Sequence, residues 1–358
     1  MDKVRIAVIG TGGISAVHLA GYAALDNVEI YALCDLDLPK AQRVADKYNV
    51  PYSRVYTDYH EMLKLKEIDA VSVCTWNAEH APATIASLKA GKHVLCEKPM
   101  AMNAQQAMEM KAAADASGKL LMIGFVRRYG NDARVLKDFV DAGTLGEIYY
   151  GKATYLRRYG FPGGWFGDKR YSGGGPMIDL GVHVIDLSRY MMGNPKAVSV
   201  AGATFDKLGK REDIKRTTTG DYAATTKDSQ FEFSVEDLAV ALIRFDNGAV
   251  LNVETSFDLN MEKGIGNIEL FGTKAGVRLD PELKIFSEMN HYLVDIAPAG
   301  STALSFDGLF EKEIAHFIEC ITTGIPCRSP AEDGVELMRI LDAVYQSAKE
   351  GHEVAIQR

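Results

Sequence analysis

Residues 3–9 (KVRIAVI) are a nearly continuous apolar run of strand length. Gly10-Thr11-Gly12-Gly13-Ile14-Ser15 follows at once, and a helical pattern then runs through Leu25. A glycine pattern carries information when strand, turn and helix succeed one another this closely, because each glycine then has a geometric task. Gly10 permits the tight turn, and Gly12 lets the backbone approach a pyrophosphate. The N–H groups at the start of the helix, from Thr11 to Ile14, face the anion. Ser15 takes the place of a third glycine and is small enough to keep the helix against its strand. The second strand, 28–34, ends at Asp35, 20 residues after Ser15. An acid there accepts hydrogen bonds from a ribose 2′-hydroxyl and repels a 2′-phosphate. Leu36, Asp37 and Leu38 bring no arginine, so NAD is expected ahead of NADP.

The alternation continues. Strand patterns at 4–9, 28–34, 70–75, 93–96 and 120–125 are interleaved with helical ones at 13–25, 39–48, 58–65, 78–90 and 103–117. This predicts a doubly wound parallel α/β sheet of Rossmann type over residues 1–125. After a helix at 131–142 the texture changes. Strands at 147–157, 196–204, 237–246, 249–258, 265–272 and 275–287 predict an α+β domain over 126–358, built on a large, mostly antiparallel sheet. A helix at 177–192 packs on that sheet, and helices at 307–323 and 331–350 close the chain. Residues 206–234 are polar and poor in aliphatic side chains, and read as an extended loop or lid.

Two further segments carry chemistry. The apolar strand 93–96 is stopped abruptly by Glu97-Lys98-Pro99, because proline removes a donor and restricts the residue before it. Lys98 therefore stands at the carboxyl end of a strand, the edge where open parallel sheets bind ligands. At 173–186, three glycines and a proline lead into a helix that bears Asp179, His183 and Asp186. Asp179 and His183 are four apart and share a helical face. A carboxylate beside an imidazole orients it and raises its pKa, which suits general acid–base work.

In this order and spacing, these pieces resemble the Gfo/Idh/MocA oxidoreductases, and inositol and sugar dehydrogenase-like members in particular. The resemblance also rests on Cys74-Thr75-Trp76-Asn77 with His80, on the 90–99 run, on Gly124-Phe-Val-Arg127-Arg128-Tyr129, on Glu236-Asp237, on the hairpin ending in Asn247-Gly248, and on Phe271 to Gly276. It implies transfer of a hydride between a nicotinamide cofactor and a hydroxyl or keto carbon of a cyclic polyol, sugar or sugar derivative. By the same resemblance Lys98, Asp179 and His183 are catalytic. Lys98 stabilises a developing alkoxide and His183 exchanges the hydroxyl proton, with Asp179 holding its tautomer. Thr75, Trp76, Asn77, His80, Glu97 and Lys98 join the glycine turn and Asp35 around the cofactor. Arg127, Tyr155 and Trp165 lie on the substrate side with Lys98, Asp179 and His183. Phe166 stands where many sugar reductases of the family have arginine, so their cofactor contacts do not transfer. Two other readings belong to the same fold: an NADPH-dependent reductase of a keto-sugar, aldehyde or ketone, and a non-catalytic dinucleotide-sensing regulator. Lys98, Asp179 and His183 together argue against the regulator, which has no use for a proton relay.

Composition sets the outer bounds. The 358 residues are 47% hydrophobic and 25% charged, enough for two ordinary globular cores. A net charge of −8 argues against a nucleic-acid or anionic-membrane surface. The five cysteines form no C-x-x-C pair and read as reduced thiols. No histidine pair has zinc-ligand spacing with cysteine support, so no metal is expected. The first strand starts at once and no apolar run is long enough to span a bilayer, so a cytoplasmic protein is expected. The run 238–243 is apolar on both phases, more than a solvated sheet face carries. A homodimer or homotetramer through the second-domain sheet is therefore expected.

Overall fold

The computed structural model describes residues 3–209, 211, 231–300, 302, 305 and 308–357. Two compact units result, one of Met1–Val126 with Asp307–Val335, the other of Arg127–Phe306 with Glu336–Arg358. The segment Asp307–Val335, read from sequence as part of the second domain, thus groups with the first unit.

The first unit is built on six strands: β1 (Val4–Ile9), β2 (Val28–Cys34), β3 (Val55–Tyr56), β4 (Ala70–Val73), β5 (His93–Cys96) and β6 (Leu121–Ile123). Their order is β3-β2-β1-β4-β5-β6, and every pairing is parallel. The sheet is doubly wound, and its order reverses between β1 and β4. Helices α1 (Gly13–Ala23), α2 (Leu38–Tyr48), α3 (Tyr59–Met62), α4 (Asn77–Lys89) and α5 (Ala104–Ser117) form the crossovers. A parallel sheet covered on both faces needs apolar residues at nearly every position; in β1 only Arg5 is exposed. The sequence pattern supplied five of the six strands. β3 was missed because its two residues are too short to show a period.

In the second unit, α6 (Asn131–Asp141), α7 (Lys169–Ser172) and α8 (Val182–Met191) accompany a nine-stranded sheet. Its strands are β7 (Ile148–Leu156), β8 (Ala197–Phe205), β9 (Leu238–Phe245), β10 (Val250–Ser256), β11 (Ile265–Gly272), β12 (Ala275–Arg278), β13 (Lys284–Met289), β14 (Tyr292–Ile296) and β15 (Val354–Ala355). The order is β14-β13-β12-β11-β7-β10-β9-β8-β15, antiparallel except for β7 beside β10. Burial alternates along β9, where Ala239, Ala241, Ile243 and Phe245 are buried and the intervening residues are not. One face of the sheet is therefore packed.

Three expectations need correction here. The run at 275–287 is two strands, separated around Pro281, which has no N–H for the ladder. The 177–192 helix opens with a π-helical turn, Met177–Gly181, before α8 begins. The strands β14 and β15 were not anticipated. Of the expected 206–234 lid, residues 210 and 212–230 lie outside the described residues.

Two later helices complete the units. Helix α9 (Leu309–Thr323) packs on α1 in the first unit, where a Cβ on Gly21 would stand 3.0 Å from Ile314. The chain then passes beside β6, where Ser329 O accepts from Ile123 N at 3.0 Å. Helix α10 (Ala331–Glu350) follows. Among the described residues no helix is long and apolar enough to cross a membrane.

Candidate active site

In the first unit every expected cofactor residue lies just beyond the carboxyl end of a strand or in the helix turn that follows. Gly10, Thr11, Gly12, Gly13 and Ile14 follow β1, Asp35 follows β2, Thr75, Trp76, Asn77 and His80 follow β4, and Glu97 and Lys98 follow β5. This edge, flanking the β1/β4 reversal, is where such sheets take ligands. Gly10 has φ +88°, and a Cβ on it would sit 2.6 Å from Cys74 O. The backbones of β1 and β4 approach too closely there for any side chain. Gly12 caps α1 with no side-chain hydrogen bond, and a Cβ on it would find nothing nearer than Lys40 Nζ at 4.0 Å. An open cradle at an uncapped helix start suits a pyrophosphate.

Asp35 closes this cradle. Its Oδ2 accepts from Thr11 N at 2.7 Å, Thr11 Oγ1 at 2.8 Å and Lys40 Nζ at 3.0 Å, and its Oδ1 accepts from Asp37 N at 3.0 Å. Burial pushes the carboxyl up, but the Asp37 and Thr11 donors and the Lys40 ammonium outweigh it and hold it below the usual carboxylate range. Sequence reading looked for an arginine directly after Asp35 and passed over Lys40. That residue is carried back toward the acid by the first turn of α2, whose N-cap Asp37 accepts from Lys40 N.

Glu97 turns inward. Its Oε1 meets His18 Nε2 at 2.8 Å, and its Oε2 accepts from the Lys98 N–H at 3.1 Å. His18 Nδ1 lies 3.2 Å from Ser72 Oγ, itself 2.7 Å from the Tyr22 hydroxyl. One proton order satisfies all four groups: Tyr22 donates to Ser72, Ser72 to His18, and His18 to Glu97. Burial raises the Glu97 carboxyl, yet the His18 hydrogen bond and the Lys98 charge outweigh it and lower it. His80, fully enclosed, reaches Pro99 O with Nδ1 at 2.7 Å and Thr75 O with Nε2 at 3.2 Å. Burial is the main cause that holds His80 below its ordinary value. Glu97 and His80 thus brace the two sides of Lys98, whose bond to Pro99 is cis.

In the second unit, Asp179 is buried in the π-helical turn and His183 is half-buried on α8. The pair is therefore set by a π turn that runs into an α-helix, not by one regular helix. Such turns recur at functional sites. The glycines before it are required by contact. A Cβ on Gly174 would stand 2.1 Å from the Tyr345 hydroxyl, and one on Gly175 would stand 2.1 Å from Glu236 O. The buried Glu236 carboxylate accepts from Gly175 N at 2.9 Å, Met177 N at 3.2 Å and the Tyr345 hydroxyl at 2.8 Å. It fixes the turn that carries Asp179, a role the sequence could not show. Asp186, one turn beyond His183, is held by Arg128 through Nε at 2.9 Å and Nη2 at 2.6 Å. That buried bidentate pair anchors α8.

The proposed substrate residues differ in setting. Tyr155 pairs with Thr255 across β7 and β10. It therefore shares the packed face of the sheet, where a Cβ on Gly181 of the π turn would lie 3.5 Å from Thr255. Arg127 is paired with Asp132 at 3.0 Å, and its buried Nε meets no acceptor among the described residues. Trp165 stacks on Phe166 at 4.0 Å between ring centroids.

Burial is the main cause that raises the Glu236 carboxyl above its ordinary value. A raised folded pKa means that the folded state holds the proton more tightly than the unfolded chain. Stability from this group is full below the unfolded value, about 4.3, and falls as pH rises toward the folded value. Glu236→Gln lacks that fall, so its deficit against the parent protein should narrow from pH 4 toward pH 7 in urea unfolding. A constant deficit across that range contradicts the assignment. Glu236→Ala strands three buried donors and should cost about 3 kcal/mol.

The family profile for an oxidoreductase NAD-binding Rossmann fold matches residues 4–125, and the profile for an oxidoreductase C-terminal alpha/beta domain matches 137–356. The chain is 36% identical over 358 residues to D-glucoside 3-dehydrogenase of Escherichia coli (strain K12), covering 99% of this chain and 98% of that one. It is 27% identical to myo-inositol 2-dehydrogenase of Thermotoga maritima over 99% of each. The solved structure of levoglucosan dehydrogenase in complex with NADH has the same fold, with a TM-score of 0.86 at 21% identity over the full length of both chains. The strand–glycine–helix start, the Glu97-Lys98-Pro99 edge and full-length similarity agree: the chain belongs to the Gfo/Idh/MocA family of NAD-binding oxidoreductases.

Proposed function

We propose that the protein oxidises a ring hydroxyl of a glucoside or a related sugar or cyclic polyol, with NAD as hydride acceptor. The observation that carries this reading is the full-length similarity to a D-glucoside 3-dehydrogenase in a chain that has Lys98, Asp179 and His183. The glycine cradle holds the pyrophosphate and Asp35 takes the ribose hydroxyl. When bound, the nicotinamide supplies the carbon that receives the hydride. Lys98 donates a hydrogen bond to the substrate hydroxyl, and its charge stabilises the alkoxide as it develops. His183 takes the hydroxyl proton, so the products are a keto-sugar and one proton on the imidazole, and Asp179 keeps the ring oriented. The Arg127 Nε, buried with no acceptor among the described residues, is suited to a second hydroxyl of a polyhydroxylated ring. Lys40 favours one variation, use of NADP, because its ammonium offsets part of the repulsion between Asp35 and a 2′-phosphate.

A panel of glucosides, free aldoses, anhydrosugars and inositols, followed by NADH absorbance, tests the reading. Glucosides should be oxidised, Lys98→Ala should lower kcat about 10²- to 10³-fold, and His183→Ala should remove the rise of rate with pH. Turnover confined to non-carbohydrate aldehydes or ketones refutes it. Lys40→Ala should sharpen discrimination against NADP by about fivefold, roughly 1 kcal/mol, read as a rise in the NAD-to-NADP ratio of kcat/KM. An unchanged ratio removes Lys40 from cofactor choice.

The open face of the nine-stranded sheet carries Leu238, Val240 and Leu242 of β9, Val250 of β10, and Tyr150 stacked on Phe271 at 5.6 Å. Lys152, Glu254 and Glu269 are interspersed on the same face. A half-apolar, half-charged face suits an isologous contact, in which each charge can meet its opposite. We infer a homodimer or homotetramer formed there. Light scattering that returns the 39.2 kDa mass of one chain at micromolar concentration overturns this.

A further inference from the structure

We propose that His316, Cys320 and Cys327 form a binding site for a zinc-like, thiolate-preferring divalent cation. The ligand atoms of these three residues lie within 4.8 Å of one another. His316 and Cys320 are four apart on α9 and so share a face, with Cys320 Sγ 3.4 Å from His316 Nε2. The helix ends at Gly324 in a left-handed C-cap, and the chain reverses to bring Cys327 back to the pair. No metal was expected from sequence because only histidine pairs were weighed, and the spacing here is H-x3-C-x6-C.

The geometry fits such an ion. Zinc–sulfur bonds of about 2.3 Å and zinc–nitrogen bonds of about 2.0–2.1 Å at a tetrahedral angle place sulfur and nitrogen roughly 3.6 Å apart, and two sulfurs roughly 3.8 Å apart. The observed 3.4 Å matches the first edge. A limit of 4.8 Å on the others leaves a closure of about 1 Å, within reach of half-buried Cys327. Glu319 Oε2 lies 4.0 Å from His316 Nδ1, so a rotation of this exposed side chain would bring it to the outer-sphere position that orients a ligating ring.

Binding is a substitution without electron transfer. The cation replaces the two thiol protons, which leave to solvent, and it takes the Nε2 lone pair that now accepts from Arg328 N at 2.9 Å. Two thiolates neutralise its charge. Three protein ligands leave the fourth position to water, so a chelator should strip the site. The bound ion would pin the end of α9 to the segment whose Ser329 and Pro330 border β6, and so stiffen the first unit.

The test uses the full-length protein, reduced and freed of metal with a chelator, titrated with Co2+ alone. A near-ultraviolet thiolate-to-cobalt charge-transfer band and the visible bands of four-coordinate cobalt should grow to one equivalent, and Zn2+ should displace them and raise Tm. Cys327→Ser should abolish the band's full intensity. His316→Gln should weaken binding by more than the roughly 10- to 100-fold lost with an outer-sphere partner. Far-ultraviolet circular dichroism and NAD binding report that these variants are folded. Octahedral cobalt bands without charge transfer overturn the proposal. So does an unchanged band in Cys327→Ser, which would move the ligation to other cysteines. A thiol count that finds Cys320 and Cys327 joined as a disulfide in the protein as purified also overturns it.

Discussion

The Glu97 carboxylate takes a hydrogen bond from His18 at 2.8 Å on one oxygen and from the Lys98 N–H at 3.1 Å on the other. A buried carboxylate is costly unless its lone pairs are met, and here meeting them ties α1, β4 and the end of β5 together through Ser72 and Tyr22. The backbone of the half-buried Lys98 is therefore fixed by the interior of the domain, at the edge where parallel sheets bind ligands. Removal of the carboxylate would loosen the helix that starts the glycine cradle and the turn that carries Lys98 in one step. Held in this way from the interior, the Lys98 backbone has the preorganisation that the proposed stabilisation of an alkoxide would require.

The second unit solves the same problem with a different residue. Glu236 holds the backbone of Gly175 and Met177, and the bidentate Arg128–Asp186 pair holds α8 from the other end. Between these two anchors lie Asp179 and His183. The π-helical turn fits this arrangement: an extra residue in the turn changes which side chains share a face, and neighbours must enforce it. Gly174 and Gly175 are needed because Tyr345 and Glu236 themselves occupy the space that side chains would take.

Much of this was legible in the chain, for physical reasons that differ by region. Strand ends in a buried parallel sheet are marked by a sudden stop of the apolar run, so the sequence alone places the glycine turn, Asp35 and Lys98 at an edge, whereas Thr75 falls inside the expected strand 70–75 and β4 ends at Val73. Five of six strands followed from the same signal, and the full-length family match agrees with the resemblance. The partners were not legible. His18 meets Glu97 across 79 residues, and Glu236 meets Gly175 across 61. No local period reports such contacts. Lys40 was missed for a smaller reason: it reaches Asp35 from the far side of a helix cap. The cysteine cluster was missed because Cys320 and Cys327 meet only after α9 ends and the chain turns back.

The two bracing carboxylates also differ in how their charge is supported. Glu97 faces His18 and the Lys98 charge, and its pKa is lowered although burial acts to raise it. Glu236 is met by two backbone N–H groups and a tyrosine hydroxyl, all neutral donors, and burial wins. Neutral hydrogen bonds satisfy lone pairs but offset only part of the desolvation of a charge, whereas a cationic partner adds a Coulombic gain that grows as the surroundings become less polar. The first brace is thus built to stay ionised beside a site that binds an anionic cofactor. The second tolerates its proton, because a carboxyl that keeps it still accepts the Gly175, Met177 and Tyr345 donors. Each unit has the acid that its neighbours can support.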